Sequence, residues 1–426
     1  MLFDSRFCNF KNQKDIQQRF AELYRVLDES MELNFFKKGE TGENEFLRTF
    51  YVMIKIGNDP EAMWTSIEDI YEKYFKKELM DKPEGKISFW LRELNNVNQS
   101  ITNLNHHLLN NIADNLYYIV IISMPIEING FSIRSKALLL QFHCYFSAPP
   151  EWNDKLLRIS CLEEETANLI DAKITDIEHK YSPDWQNSEL NDLFSSKIVM
   201  LRNKLINLKN AQKEISILDL VKWVELAVWA GEPKGTFSNR WNFVFNRKNC
   251  KTHRDAVDIF WNDLVRTYRN NYLKNLLELQ FPRCGGFVLK EAERLRYNNN
   301  LHNVSRNEIN LEHIIPQNPK FPIRDLGISE NEFRDNYLNS LANLIFLDQE
   351  LNKPGSIDQP PHIKAAYYKD QLGRDGDKVK HVMGEVAKLG NDFDMIFKKS
   401  GRKSPLYLAC LFLRQIDLAL FVAEML

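Results

Sequence analysis

Apolar residues recur at helical spacing along most of the chain. Phe20, Leu23, Tyr24 and Leu27 form one apolar face. Phe46, Phe50, Met53 and Ile54 form the next, in a helix that starts at Asn44-Glu45-Phe46-Leu47-Arg48 after the Gly39–Gly42 turn. Ser66 reads as an N-cap with Glu68 and Asp69 in the first turn behind it. The same spacing predicts helices over Ser88–Ser100, Ile101–Ile121, Ser132–Phe146, Trp152–Tyr181, Asn191–Lys213, Ser216–Ala230 and Arg254–Leu279. In this part only the aromatic run Trp241–Phe245 reads as a strand. No fixed period relates the helices, so nothing marks them as tandem repeats.

The pattern changes after Pro282, Gly285-Gly286 and the Asn298–Asn300 run, which together mark a joint. Two short apolar stretches follow that read as strands. One ends in Leu311-Glu312-His313-Ile314-Ile315-Pro316, and the other opens at Asn343 and runs through Leu344-Ile345-Phe346-Leu347. Asn352 lies nine residues beyond Asn343 and is expected to help begin a helix. Later helices are predicted over Ile363–Leu372 and Lys378–Leu389. Pro405–Leu426 is apolar on nearly all sides, as a buried helix is. The expected fold is therefore mainly α: a helical array over residues 1–285, a small α+β unit over 286–400, and an apolar C-terminal tail over 401–426.

A chain of 426 residues exceeds one ordinary domain, and 44% apolar content is enough to bury a core. Lys and Arg number 56 against 58 for Asp and Glu, a formal charge of −2, so any nucleic-acid surface has to come from local placement of charge. The six cysteines contain no Cys-x-x-Cys pair, which argues against a zinc knuckle or a disulfide framework and for reduced, cytoplasmic thiols. The first residues show no basic segment followed by an apolar run. The apolar run around Tyr117–Ile128 is broken by Ser123, Pro125 and Glu127 and falls short of the ~20 residues a membrane span needs.

Phosphodiester hydrolysis needs a water nucleophile, a base to take its proton and a cation for the charge on the leaving oxygen. His313 suits the base, because imidazole titrates near neutrality. Glu312 and Asn352 offer the hard oxygens that Mg²⁺ or Mn²⁺ prefers. Neighbours on a regular strand point apart, so Glu312 and His313 share a site only where the strand ends, and Ile314-Ile315-Pro316 supplies such an end. Asn343 is expected to tie the intervening loop through hydrogen bonds to the backbone, in support of catalysis and not as a metal ligand. Taken singly, His313 reads as a satisfied histidine beside two isoleucines, and the two asparagines read as turn or cap residues. The ordered set between two apolar strands, with a proline three residues after the histidine, favours the chemical reading.

Lys320, Arg324, Lys353, Lys364 and Lys369 are candidates for phosphate contact, with Arg294 and Arg296 nearby; for each alone, a solvated face is the equal alternative. His106 and His107 have no carboxylate at metal-ligand spacing and read as surface residues, and His302 reads as a loop histidine.

At Leu311–Gln317, Leu341–Leu347 and Asn352 the chain resembles HNH endonucleases. More closely, it is similar to the C-terminal nuclease domain of the GmrSD type IV restriction family, whose pattern runs Glu-His-Ile-x-Pro-Gln, Gly-Asn-Leu, Asn and then a lysine-bearing helix. Ala342 stands where that pattern has glycine, and Lys364 matches its lysine. Asn44–Arg48 and Ile67–Phe75 look like the helical part that precedes the nuclease, which would extend the likeness over roughly Phe20–Leu389.

The resemblance implies a ββα-metal fold, cleavage of foreign and often modified double-stranded DNA with Mg²⁺ or Mn²⁺, and a role in defence. The family's Asp-Gly-Gln-Gln-Arg motif is absent, as is a phosphate loop, so sensing is expected from a separate nucleotide-hydrolysing subunit or a preceding segment. Two alternatives stand beside this reading: a non-catalytic helical DNA-binding or interaction subunit, and a nuclease directed at RNA.

Overall fold

A computed structural model describes residues 154–220, 251–278, 285–301, 304–305, 307–353, 358–373 and 375–425, with scattered helical positions between 18 and 103. The helical faces around Phe20 and Phe46, the Ser132–Phe146 helix, the Trp241–Phe245 strand, His106, His107 and His302 lie outside these residues.

The described elements are mainly helical. In order they are β1 (Leu157–Ser160), α1 (Glu164–Tyr181), α2 (Ser188–Asn210), β2 (Gln212–Ile215), α3 (His253–Phe260), α4 (Arg266–Leu277) and α5 (Gly285–Tyr297). They continue with β3 (Ile309–His313), β4 (Leu344–Asp348), α6 (Pro361–Asp370), α7 (Gly384–Ser400) and α8 (Leu406–Met425). Among the described residues there are two two-stranded sheets, β1 with β2 and β3 with β4. Leu157–Ser160 was expected to lie within a helix running from Trp152 to Tyr181. Its i, i+2 burial fits a short strand, and the helix starts only where Glu164 and Glu165 can face the positive end of the helix dipole.

The chain divides into two compact units, residues 1–159 with 214–269 and residues 160–213 with 270–426. This differs from the serial division at 285 and 400, because α1 and α2 belong with the later segment and the apolar tail is part of the same unit. In the first unit α3 is opened by a capping box, Thr252 and Asp255 each accepting from the other's backbone N–H.

The second unit is built around α8. Its buried residues include Leu408, Leu411, Ile416, Leu418, Ala419 and Val422, and α1, α2, α5, α7 and the turn at Leu341–Asn343 all pack on it. By length and composition α8 could cross a bilayer. It is instead a core helix, as its apolar girth requires. From α2 comes a stripe of Leu190, Phe194, Ile198, Leu201 and Leu205, with Phe194 stacked on Trp185 at 4.7 Å. Phe393 of α7 meets Tyr407 of α8 edge-on at 5.3 Å.

The helix expected at Lys378–Leu389 starts later, at Gly384. A bridge between Leu372 and Lys378 holds the preceding segment extended. The first N–H groups of α7 then find an acceptor in another element: Glu293 of α5 takes Gly384 N at 3.0 Å and Glu385 N at 2.7 Å.

Helices α6 and α7 touch backbone to backbone at Gly390, where a Cβ would stand 2.2 Å from Lys369 N and 2.6 Å from Tyr368 C. Gly390→Ala is therefore expected to destabilise the fold by about 1–3 kcal/mol, the cost of overpacking, since neither backbone atom can move as a side chain can. Urea unfolding of the two proteins checks this, and an unchanged midpoint contradicts the close approach.

Candidate active site at the open end of a two-stranded ribbon

Strands β3 and β4 pair antiparallel from Ile309 opposite Asp348 to His313 opposite Leu344. One further bond, Ile314 N to Asn343 O at 2.7 Å, closes the ribbon's open end. Between these ends lies the connection 314–343. It is shaped by a 3-10 turn at Ile323–Leu326, which Gly327 closes with φ of +81° against Pro405, and by Ser329, which caps a following turn.

Three side chains hold the open end. Asn343 is buried and accepts Ile315 N at 2.7 Å through Oδ1, while its Nδ2 donates to Ile315 O at 3.0 Å and Leu338 O at 2.9 Å. Its side chain thus ties the loop through hydrogen bonds to the backbone, as expected. Lys364 on α6 donates through Nζ to His313 O at 3.2 Å and Ile314 O at 2.7 Å. Arg414 on α8 donates through one nitrogen to Leu341 O, Ala342 O and Leu344 O at 3.2, 3.0 and 3.1 Å. Two buried cations therefore satisfy five carbonyl groups that the strand ladder leaves over.

Glu312 and His313 both lie within the regular ladder of β3, and their side chains find different partners. Glu312 Oε1 accepts from Asn352 Nδ2 at 2.6 Å. Its charge also acts on Lys364 and Tyr368, one helical turn apart on α6, so its carboxylate belongs to the α6 side. His313 is half-buried, and its Nε2 meets Oδ1 of the exposed Asn339 at 3.2 Å. Donation from Nε2 to that oxygen would leave Nδ1 as the nitrogen without a proton. Asn352 does not begin a helix: it lies in the turn that leaves β4, and α6 starts at Pro361.

As a cation site, Glu312 and Asn352 supply one carboxylate and one amide. Among the described residues no group of three or more His, Cys, Asp or Glu side chains converges. That donor set fits Mg²⁺ or Mn²⁺, which keep several waters and need only one or two carboxylates, and it is poor for the four-ligand zinc sites. Cys161 and Cys410 are buried, and burial pushes the Cys410 thiol up to about 12, so Cys410 is not a reactive thiolate.

The basic candidates separate. Arg324 is exposed on the 3-10 turn, and Lys320 is largely exposed while bridging to Asp358 at 3.1 Å. Lys353 pairs with Glu350, and Lys369 with Asp394 at 3.2 Å. Lys364 was expected to meet phosphate and is instead buried under the ribbon. Arg294 forks onto Glu291, with its closest contact 2.8 Å, and Arg296 spans Glu385 and Asp417 at 3.1 and 2.8 Å, so both are internal.

Arg414, Asn339 and Tyr368 escape a motif-based reading. Arg414 did have a signal, since it is the only cation in an apolar helix and a buried charge has to be paired. Burial alone would push Glu385 up, but Arg414 and Arg296 overcome it and hold that carboxyl below its usual range.

Residues 265–383 match the family model for the C-terminal domain of GmrSD restriction endonucleases. The match takes in β3, the connection, β4 and α6, the elements that build the site. It is narrower than the Phe20–Leu389 extent of the resemblance. No curated protein and no solved structure matches the chain.

Burial pushes the Lys364 amine down from 10.5 to about 7, against the opposing pull of Glu312 and Asp358. The folded protein thus holds this proton more weakly than the unfolded chain, so stability is expected to rise as pH climbs from about 7 towards 10.5. Lys364→Met should flatten that rise and cost about 1–3 kcal/mol for each carbonyl left without a donor. Denaturant titrations across this range compare the two slopes, and equal slopes would remove Lys364 as their source.

Proposed function

We propose that this chain is a metal-dependent DNA endonuclease of the HNH type, acting in restriction of foreign DNA. The contact of Glu312 with Asn352, next in sequence to His313 at a strand end within the stretch that matches GmrSD restriction endonucleases, carries this reading. His313 takes through Nδ1 the proton of a water that attacks phosphorus as the bond to the leaving oxygen breaks. On this reading Asn339 accepts from Nε2 and leaves Nδ1 to take that proton. Glu312 and Asn352 hold Mg²⁺ or Mn²⁺, which when bound stabilises the charge developing on the phosphate oxygens. Asn343, Lys364 and Arg414 keep the strand ends in register, so that a base and a carboxylate adjacent in sequence serve one phosphate.

Arg324 and Lys320, the more exposed cations near the connection, are the phosphate contacts this reading favours. Phosphate contacts carry no sequence or modification information. Target choice is therefore assigned to another surface or to a separate nucleotide-hydrolysing subunit.

His313→Ala is expected to lower cleavage of duplex DNA in Mn²⁺ by about 10²–10⁴ while leaving binding nearly unchanged, and EDTA should abolish cutting by the wild type. Rates and gel shifts on matched DNA and RNA test both statements. Wild-type cutting by the variant removes His313 as base, full activity in chelator removes the metal, and selective cutting of RNA reassigns the substrate.

A further inference from the structure

The ladder of β3 and β4 sorts its side chains onto two faces, because residues directly opposite share a face and so do residues two apart on one strand. Leu311 stands opposite Phe346 and His313 opposite Leu344, so these four lie on one face. His313 and Phe346 are diagonal neighbours there, about 7–8 Å apart in a regular ladder. Leu311, His313 and Phe346 are all half-buried, so protein covers this face only in part.

Helix α5 meets the same face. A Cβ at Gly286 would stand 3.6 Å from Phe346 Cζ, and one helical turn later the Lys290 amine rides over the Phe346 ring, 5.3 Å from its centroid. Gly286 and Lys290 are i, i+4 neighbours and form one stripe of the helix. Val288, Leu289 and Ala292 go into the core, whereas Lys290 is only half-buried. A lysine in such a place lays its stem on apolar surface and keeps its charged end wet.

We propose that Lys290 binds a phosphate of the DNA strand that is cut, on the side of the ribbon that carries His313. This rests on the nuclease reading and adds to it a residue from outside the strand–connection–strand motif. The ring under the Lys290 amine is one diagonal step from the proposed base, so a strand whose phosphate reaches His313 passes within reach of that amine. An ammonium is a compact point charge that suits phosphate oxygens. A ring on a partly open face holds a cation only weakly, so the amine can turn to a phosphate while its stem stays packed. Lys353 and Lys369 are by contrast engaged by Glu350 and Asp394, and Lys364 is buried.

The test follows binding of DNA duplexes by the full chain carrying His313→Ala, so that cleavage cannot intervene, at salt from about 50 to about 200 mM. Lys290→Met keeps an unbranched stem against the ring and removes the charge. It is expected to weaken binding several-fold at low salt, equally on unrelated sequences, and to reduce the slope of log K against log salt by about 0.9, the share of one phosphate. Lys290→Arg is expected to restore both. With His313 in place, Lys290→Met should raise KM more than it lowers kcat. A slope indifferent to Lys290→Met overturns the inference, and if the protein with His313 cuts DNA the nuclease reading stands without it. Binding lost alike in Lys290→Met and Lys290→Arg, with a lowered melting temperature, also overturns it and leaves Lys290 a packing residue between α5 and the ribbon. Failure of the protein with both His313 and Lys290 to bind or cut DNA removes the nuclease reading and the inference together.

Discussion

The site depends on how one end of a two-stranded ribbon is held. A β-ladder satisfies its own backbone only while the strands run side by side, and β3 and β4 part at His313 and Leu344 into a long connection. The carbonyls of 313, 314, 341, 342 and 344 are then turned away from the ladder and into protein. Leaving even one such group without a donor costs about 1–3 kcal/mol. Lys364 and Arg414 supply the donors, and Asn343 bonds both the outgoing and the returning chain. The same bonds fix where the strand stops, which the proposed reading requires if Glu312 and His313, side by side in sequence, are to serve one phosphate.

Two cations in such a place are costly to bury, and the structure treats them differently. Arg414 remains a cation because Glu385 lies against it and Arg296, Glu385 and Asp417 continue the pairing into the core. Lys364 has only carbonyl dipoles and the more distant charges of Glu312 and Asp358, so its proton is held loosely near neutrality. Guanidinium cannot yield its proton, whereas ammonium can. An arginine at 364 would keep its charge without a paired carboxylate, and a lysine at 414 would lose the planar fork that reaches three carbonyls and Glu385 at once.

Much of this was legible in the sequence, and the limits follow from what spacing can report. The helical period located α2, α6 and α8, and the apolar girth of Pro405–Leu426 announced a buried helix, because periodicity and burial are properties of a segment itself. The strands β3 and β4 were legible from their apolar runs, and the role of Asn343 from its place between them. The failures concern partners. Leu157–Ser160 is a strand because β2 lies beside it, and α7 starts at Gly384 because Glu293, some ninety residues earlier, receives its first N–H groups. Lys364 looked like a phosphate contact because a lysine on an amphipathic helix usually faces water; only the packing of α6 under the ribbon shows that it does not.

That dependence on partners also bears on what counts as the nuclease-like module. The matched stretch ends at residue 383, yet Arg414 and Glu385 lie beyond it, and Lys197 of α2 reaches Asp392 of α7 at 2.7 Å from far upstream. Residues 265–383 alone would keep Lys364 and Asn343 but lose every donor to Leu341, Ala342 and Leu344 that α8 provides. They would also expose the apolar faces that α5 and the 341–343 turn bury against that helix. The start of β4 would then be free to shift along β3, and a shift of one residue reverses which face each side chain occupies. Glu312 and Asn352 come from opposite sides of that register, so their 2.6 Å contact is as much a product of α8 as of the motif that contains them.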